Sequence, residues 1–404
     1  MTRTRFAPSP TGYLHIGGLR TAAYAYALAK HDGGEFLLRI EDTDQKREVA
    51  GAREKLIETL KAFNLHWDGE PLIQSRRAAT DVYRQAAQKL VDSGHAYEDD
   101  GAIRLKVPPN ETVSFFDFII QKKIEWQSDQ IPDAVLLKSD GFPTYHLASI
   151  VDDHESGITH VIRSVEWLPS TPIHLLAYRY LGYELPAIGH PTAILDPEGG
   201  KLSKRKGTVS VEQFLAEGYL PEAILNFIIL LGWAPKDNRE LFTLEEFVQV
   251  FDISGFQKSN PLMNLQKLDW FNGQYIRKKS DTELIQLIKP YLPDISPDIV
   301  RLIKDRITTL AQAKDLANFF FARPAAPEGL NSEFLTAAYQ TVKEGDNLQE
   351  MAKAKGWPMG DFFMTLRLAI CGQKITPPLT ESMLILGKTE VLYRLHNSIE
   401  RINK

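Results

Sequence analysis

The chain has 404 residues, of which 43% are hydrophobic and 25% charged, and its formal net charge at pH 7 is -5. This composition is typical of a globular protein that is long enough for several domains with sizeable cores, and it excludes a largely disordered chain. No stretch approaches the roughly 20 consecutive apolar residues that a membrane-spanning helix needs, and no secretory leader is expected before Arg5. The single cysteine, Cys371, excludes an internal disulfide and a multi-cysteine zinc site. It favours a reducing, cytoplasmic setting.

The first part of the chain has the pattern with which a parallel α/β sheet begins. A short strand is predicted over residues 4–7, followed by a turn that two prolines stiffen. Residues 14–30 have helical periodicity, and two glycines end the helix. A second strand, "EFLLRI", ends in an acidic group that starts at Glu41. The order strand, turn, helix, strand predicts an α/β fold with a parallel sheet.

The turn before the first helix is the predicted position of a bound phosphate. It contains His15, Gly17 and Gly18, within "RFAPSPTGYLHIGGLR". Ligands of such folds lie beyond the carboxyl ends of the strands, where the N–H groups and the dipole of a helix N-terminus attract anions. The alternative is that the glycines only allow tight helix packing and that His15 is a surface residue.

A second informative stretch, "ILDPEGGKLSKRKGTVSV", lies far downstream. Its four basic residues, Lys201, Lys204, Arg205 and Lys206, stand between glycines. A glycine-bracketed basic loop can fold over a polyphosphate and place positive charge where negative charge accumulates. A solvated surface turn is the alternative.

Together the two stretches resemble the two signatures of the class I aminoacyl-tRNA synthetases, here "HIGG" and "KLSKR". The surrounding segments "LLRIEDTDQKRE", "YHLASIVDDHESGITHVIRSVEWLPSTPIHLLAYRYLG" and "LRLAICGQKITPPLTESMLILGK" are similar to bacterial-type glutamyl-tRNA synthetases, over nearly the whole chain. The resemblance implies a Rossmann-like catalytic domain that activates L-glutamate with ATP and transfers it to the 3′ end of tRNA(Glu). It leaves open whether tRNA(Gln) is a second acceptor.

The resemblance also implies which residues bind glutamate: Arg5, Ala7, Ser9, Glu41, Tyr145 and Arg163. Free glutamate has two carboxylates and one ammonium group, and arginine is the natural bidentate partner of a carboxylate. Glu41 is the expected partner of the ammonium group. Which arginine binds which carboxylate stays open.

The residues implied for ATP are His15, Gly17, Gly18, Glu166, Trp167, Leu202 and Lys204. His15 and Lys204 are the expected catalytic residues, because His15 would bind the phosphates and Lys204 would stabilise the departing pyrophosphate. No covalent nucleophile is needed, since positioning and electrostatics suffice. Mg²⁺ is expected to accompany ATP, with no protein site for it indicated, and no zinc is expected. The family expectation is a monomer with no membrane partner.

Four regions follow from the resemblance. They are the catalytic domain over 1–83 and 144–200, a connective insertion for the tRNA acceptor end over 84–143, the basic loop with a stem-contact region over 201–280, and a helical anticodon-binding region over 281–404. The insertion is short for the family, because "DDGAIRLK" follows Tyr97 almost at once. Some family members carry zinc-binding cysteines in the longer segment, so the sequence predicts that this metal is absent.

Other functions remain as alternatives. A paralogue that glutamylates a modified base on tRNA(Asp) typically lacks the helical C-terminal region, and glutaminyl-tRNA synthetase ends in β-barrels. A non-catalytic tRNA-binding relative and a tRNA-free adenylyltransferase are the remaining two. The acidic group at 152–154 resembles a metal cluster, but a structural hydrogen-bonding function is the favoured interpretation.

Overall fold

The computed structural model describes residues 1–44, 46–200, 210–325 and 328–402. The strands found in these ranges are β1 Arg3–Phe6, β2 Glu35–Ile40, β3 Leu72–Ile73, β4 Ala96–Asp99, β5 Ala102–Leu105, β6 Thr112–Asp117, β7 Lys122–Gln127, β8 Val135–Leu137, β9 His160–Ile162 and β10 Ala187–Gly189. The α-helices found there are α1 Ile16–His31, α2 Ala52–Ala62, α3 Gln74–Ala78, α4 Val82–Asp92, α5 Tyr145–Glu155, α6 Thr171–Leu181, α7 Val211–Ala216, α8 Pro221–Ile229, α9 Leu244–Val250, α10 Leu265–Lys278, α11 Asp281–Ile288, α12 Pro297–Ile303, α13 Gln312–Ala317, α14 Ser332–Glu344, α15 Leu348–Ala354, α16 Met359–Cys371, α17 Leu379–Leu386 and α18 Lys388–Ile402.

The chain divides into two compact units. The first comprises residues 1–216 and 221–268, and the second comprises residues 217–220 and 269–404. In the ranges that the structure describes, no helix combines the length and the apolar character that crossing a membrane requires.

The first unit is built on parallel strands, which confirms the predicted α/β fold. β1, β2 and β3 form one parallel ladder in that order, and β10 pairs in parallel with β9 on one side and with β6 on the other. The N–H of Thr159 donates to the carbonyl of Arg3 at 2.9 Å, which brings β9 beside β1. The carboxyl ends of β1 and β9 therefore lie at the point where the strand order reverses, where open α/β sheets bind ligands.

α1 connects β1 to β2 and is buried on nearly every side. Its alanines at 22, 23, 25 and 27 have no exposed surface, and the Tyr24 hydroxyl donates to the carbonyl of Ile229 at 2.9 Å. A helix with small residues all round fits this position because neighbouring elements contact it from several directions. Observed α1 spans Ile16–His31 where helix was predicted over 14–30, and β2 coincides with the predicted "EFLLRI".

Residues 96–137 add β-structure to the same unit. β4, β5 and β8 form an antiparallel sheet, whereas β6 and β7 form a hairpin that joins the parallel strands through β10. Side chains of these strands share one hydrophobic core with α4, α5 and α6. The four-region division of the chain stays a prediction, and β6 links the predicted insertion to the parallel sheet directly.

The described part of the second unit is helical from α10 to α18. α11 begins at a capping box, in which the Ser280 side chain accepts from Glu283 N–H and the Glu283 side chain accepts from Ser280 N–H. Its core is formed by apolar side chains of α14, α16 and α18, with Phe362, Leu366 and Leu395 fully buried. The prediction of a helical C-terminal region is confirmed.

Candidate active site

A cavity of about 600 Å³ lies in the first unit, at the carboxyl ends of β1, β2 and β9 and against the N-terminus of α1. Every described residue that the sequence assigned to glutamate or ATP lines this cavity: Arg5, Ala7, Ser9, His15, Gly17, Gly18, Glu41, Tyr145, Arg163, Glu166 and Trp167. The predictions for Leu202 and Lys204 fall outside the described residues. What each lining residue binds stays a prediction.

His15 is the N-cap of α1. Its Nδ1 accepts a hydrogen bond from the N–H of Gly18 at 3.1 Å, so a neutral ring carries its proton on Nε2. A methyl group at Gly17 would approach Nδ1 to 3.1 Å, which shows how closely the backbone surrounds the ring. His15 also forms an isolated antiparallel bridge with Ser210. The helix start thus combines the positive end of the helix dipole with an imidazole donor, a combination that suits phosphate oxygens.

Arg5 reaches the cavity from the end of β1 and is held by a buried carboxylate. Its Nε donates to Asp153 at 2.9 Å, and Arg39 donates to the same carboxylate oxygen at 2.5 Å. Arg39 also donates to Glu41 at 3.0 Å. Two guanidinium groups and two carboxylates therefore form a near-balanced network beneath the cavity.

This network sets the protonation of both carboxyl groups. Burial alone would raise the pKa of Asp153, but the positive charges of Arg39 and Arg5 outweigh it, so the pKa of Asp153 is lowered. For Glu41 burial is the stronger effect, and the pKa of Glu41 is raised despite Arg39 and Arg5. Asp153 is accordingly ionised, whereas a cationic ligand beside Glu41 would stabilise its ionised form by offsetting its burial.

Arg163 enters the cavity after β9 and is 7% exposed. In the described part of the chain its side-chain partners are neutral groups. Its guanidinium donates to His190 Nε2 at 3.1 Å, to His174 Nδ1 at 3.0 Å, to the Tyr145 hydroxyl at 3.1 Å and to Thr171 Oγ1 at 2.8 Å. Its positive charge is consequently available to an anion in the cavity.

Aromatic rings form one wall of the cavity. The rings of Tyr145 and Trp167 are tilted against each other with centroids 4.4 Å apart. Ser164 accepts from Glu166 N–H at 3.4 Å and begins the short 3₁₀ segment Val165–Ser170 that carries Trp167. Trp167 is 44% exposed, so part of its indole ring is open to a planar ligand.

The acidic group at 152–154 has the structural function that the sequence favoured. Asp153 holds the two arginines, and Asp152 accepts from Gln74 and from the Tyr83 hydroxyl. Within the described ranges no group of three or more His, Cys, Asp or Glu side chains is arranged to hold a metal ion.

Sequence reasoning missed Arg39, His174 and His190. Arg39 lies near the end of β2 and stands two positions before Glu41, which directly follows the strand, so extended backbone places the two side chains on the same side. His174 lies in the apolar run "TPIHLLAY", and an isolated polar residue in such a run is a signal of a buried hydrogen bond. These signals were available but did not identify the partners.

A parallel α/β sheet with a cationic cavity at its reversal point and a capped helix N-terminus defines a nucleotide-binding enzyme domain of the Rossmann type. The family described as tRNA synthetases class I (E and Q), catalytic domain, matches residues 1–102 and 98–270, and the family described as anticodon binding domain matches residues 283–399. The chain belongs to the class I tRNA synthetases of the E and Q group.

Relatives cover nearly the whole chain. A glutamate–tRNA ligase of Treponema denticola is 36% identical over 502 aligned positions, which include 98% of this chain and 99% of the relative. A glutamate–tRNA ligase of Dehalococcoides mccartyi strain 195 is 36% identical over 479 positions, covering 100% of this chain and 98% of the relative. The crystal structure of a glutamate tRNA ligase from Elizabethkingia meningosepticum, in complex with its amino acid, superimposes with a TM-score of 0.86 at 32% identity, covering 99% of both chains.

Proposed function

We propose that the protein is a glutamate–tRNA ligase, which activates L-glutamate with ATP and transfers it to tRNA(Glu). The observation that carries the proposal is the meeting of Arg5, Glu41, Arg163 and the capped N-terminus of α1 in one cavity of a chain that belongs to this family. The full-length similarity to glutamate–tRNA ligases supports the choice of amino acid.

In this proposal glutamate binds between the two arginines and Glu41. Its carboxylates pair with Arg5 and Arg163, and its ammonium group pairs with Glu41, where a cation in addition to Arg39 would further offset the burial of this carboxylate. Ala7, Ser9 and Tyr145 line the same pocket and contact the amino acid. The neutral partners of Arg163 support this arrangement, because an unneutralised buried guanidinium favours an anionic ligand.

ATP occupies the part of the cavity next to α1. The amide of Gly17, the dipole of α1 and the Nε2 proton of His15 bind the phosphates, and Gly18, which has no side chain, lets them approach the backbone. Glu166 and Trp167 lie near the ribose and adenine. Leu202 contacts the adenine through its backbone and Lys204 stabilises the leaving pyrophosphate, both as the family resemblance implies. Mg²⁺ bound with ATP neutralises phosphate charge, and no protein ligand is assigned to it.

The reaction then needs no covalent intermediate on the enzyme. A glutamate carboxylate oxygen attacks the α-phosphorus of ATP, pyrophosphate leaves, and a terminal ribose hydroxyl of the tRNA attacks the acyl carbon and releases AMP. Positioning supplies the first part of the rate increase, and positive charge around the phosphates supplies the rest.

The second unit is proposed to bind the anticodon stem and loop, within the four regions outlined from the sequence. Its match to an anticodon binding domain over 283–399 disfavours the tRNA(Asp)-modifying paralogue, which typically lacks this region. We propose a monomer that acts in a reducing, cytoplasmic setting.

Aminoacylation with radiolabelled glutamate tests the function, with tRNA(Glu), tRNA(Gln) and tRNA(Asp) supplied separately. Charging of tRNA(Glu) alone establishes a discriminating ligase, and charging of tRNA(Gln) as well establishes a non-discriminating one. Labelling of tRNA(Asp) alone contradicts the proposal. Binding of tRNA without charging, together with failure to bind ATP and glutamate, would instead indicate a non-catalytic relative.

A further inference from the structure

The guanidinium of Arg163 is held by two buried histidines in addition to Tyr145 and Thr171. His190, which follows β10, accepts from Nε of Arg163 at 3.1 Å, and His174, in α6, accepts from Nη1 at 3.0 Å. His190 has no exposed surface and His174 is 3% exposed. The two rings approach the guanidinium from different elements and restrict its orientation.

The hydrogen-bond partners of the two rings determine their tautomers. His190 accepts through Nε2, so its Nδ1 carries a proton and donates to Asp117 Oδ2 at 2.6 Å. His174 accepts through Nδ1, so its Nε2 carries a proton and donates to His146 Nδ1 at 3.1 Å. Both rings must be neutral in order to accept from Arg163.

The surroundings keep these rings neutral. Burial, and next the positive charge of Arg163, lower the pKa of His174 well below its ordinary value. Burial also lowers the pKa of His190, although Asp117 acts in the opposite direction. The two histidines therefore supply acceptor atoms without supplying negative charge.

The other arginine assigned to the amino acid is held differently. Arg5 is fixed by the carboxylate of Asp153, which cancels much of its charge. A carboxylate in place of either histidine would fix Arg163 equally well, but it would compete with any anionic substrate group. Because the two imidazoles are neutral, they hold Arg163 without cancelling its positive charge.

We propose that His174 and His190 are positioning residues of the amino-acid site, which orient Arg163 through neutral acceptors and so reserve its charge for a carboxylate of the substrate. This inference rests on the proposed function and adds to it the groups that set the affinity for an anionic amino acid. The two histidines act through Arg163 and make no contact with the substrate.

The test compares variants that have nearly the same shape and differ in charge. His174→Asn and His174→Asp both place an oxygen close to the position of Nδ1, but only the aspartate adds a negative charge. We expect the KM for glutamate in tRNA(Glu) charging to be at least about tenfold higher for the Asp variant than for the Asn variant, because one neutralised ion pair is worth at least this factor. The KM for ATP should be equal in the two variants.

A second pair, His190→Gln and His190→Glu, tests the other ring independently, since a Gln or Glu oxygen lies close to the position of Nε2. We expect the KM for glutamate to be at least about tenfold higher for His190→Glu than for His190→Gln. Equal glutamate KM values within each folded pair, or a parallel rise in the KM for ATP, would overturn the inference. Charging of tRNA(Glu) by the unaltered protein in the same assay tests the proposed function separately, so the two failures can be told apart.

Should the charged variants fail to fold, the uncharged variants His174→Asn and His174→Phe decide, because both leave Arg163 unaltered. Asparagine keeps an acceptor close to the position of Nδ1, whereas phenylalanine keeps a ring without an acceptor. A glutamate KM at least about tenfold higher for the Phe variant than for the Asn variant, with the KM for ATP equal in both, supports orientation by the histidine. Equal glutamate KM values in the two folded variants overturn the inference.

Discussion

At the scale of single residues, His15 combines a structural and a chemical function in one ring. Nδ1 caps α1 by accepting from Gly18 N–H, and the opposite nitrogen is the proposed phosphate donor. The two functions can be separated, because an asparagine oxygen is also a good acceptor at an N-cap.

Replacement of His15 by Ala or Asn provides this separation. Both His15→Ala and His15→Asn lose the Nε2 donor, so adenylate formation should slow by more than about tenfold in each. Only the alanine variant should lose the cap, at a cost of about 1 kcal/mol in the free energy of unfolding. Urea unfolding curves and single-turnover activation by the two variants check this, and near-normal activation in His15→Asn would remove His15 from the mechanism.

Asp153 is the second residue with a large expected effect. Asp153→Asn leaves Arg5 and Arg39 buried without their shared anion, and such a loss typically costs about 3–5 kcal/mol of folding stability. Asp153→Glu keeps the charge and serves as the control, with a smaller loss from the longer side chain. Equal stability of the Asn variant and the unaltered protein in urea would contradict the assignment of Asp153 as the anion of this network.

The stabilisation from Asp153 should also depend on pH. Because its pKa is lowered in the folded state by Arg39 and Arg5 against the effect of burial, its contribution is complete above the unfolded pKa of about 3.9 and is lost as the pH falls below that value. The Tyr178 hydroxyl and Glu41 face the same carboxylate. The hydroxyl stays protonated because burial raises its pKa, and Glu41, whose pKa burial also raises, takes up its proton at a higher pH than Asp153 does. The stability difference between the protein and Asp153→Asn should therefore be constant near neutral pH and shrink as the pH falls below about 3.9, as followed by urea unfolding at each pH.

At the scale of elements, the chain passes from α1 to β2 through a close backbone approach at Gly34. Gly34 donates to Ala29 O at 2.8 Å, and the next residue, Glu35, donates to Thr2 O at 3.0 Å. A methyl group on Gly34 would lie 1.8 Å from that same carbonyl oxygen of Thr2. Glycine at this position allows β2 to pair with the start of β1 directly after the helix ends.

Gly34→Ala should accordingly destabilise the first unit by more than about 2 kcal/mol, because either the β1–β2 pairing or the helix end must move. Gly33→Asn is the matched control: Gly33 has a φ of +63°, its added Cβ meets nothing within 4 Å, and asparagine tolerates this conformation. Urea unfolding of the two variants gives the comparison. A smaller loss for Gly34→Ala than for Gly33→Asn would refute the steric argument.

At the scale of the whole molecule, the chain is compact for its family. Alignments with the relatives extend over 479 to 502 positions although the chain has 404 residues, so the relatives carry segments that this chain lacks. The antiparallel strands between α4 and α5 nevertheless share a core with the parallel sheet. The predicted insertion is thereby integrated into the first unit.

Charging of tRNA should depend on Mg²⁺ but not on zinc. Tight zinc chelation with 1,10-phenanthroline should leave tRNA charging unchanged, since the one cysteine is buried and no zinc site is expected. EDTA in excess over Mg²⁺ should abolish charging, because ATP needs its cation, and added Mg²⁺ alone should restore it. Recovery that requires zinc would show that the metal-free interpretation of the insertion is wrong.

Much of this protein follows from local patterns in the sequence. Hydrophobic periodicity and the positions of proline and glycine are local signals. They predicted β1, α1 and β2 within a few residues, and they predicted that the chain after residue 281 is helical. The motifs around His15 and Arg163 identified the family, because several matched segments in a given order are far more specific than any one of them alone. The same resemblance implied that Arg5, Glu41 and Arg163 bind glutamate, and the charges of these side chains suit an amino acid with two carboxylates and one ammonium group.

Only the tertiary structure decided which partners those side chains have. Asp153 accepts from Arg5, which is 148 positions away in the sequence, and His174 and His190 contact Arg163 from two further parts of the chain. β6, which lies within the predicted insertion, pairs with β10 of the parallel sheet. The residue types were visible, but whether a buried arginine is neutralised by a carboxylate or held by imidazoles depends on which strands and helices pack together. The sequence by itself determined the chemistry that the cavity offers, and the packing decided where its charge remains available, because burial and pairing are properties of neighbours in space and not along the chain.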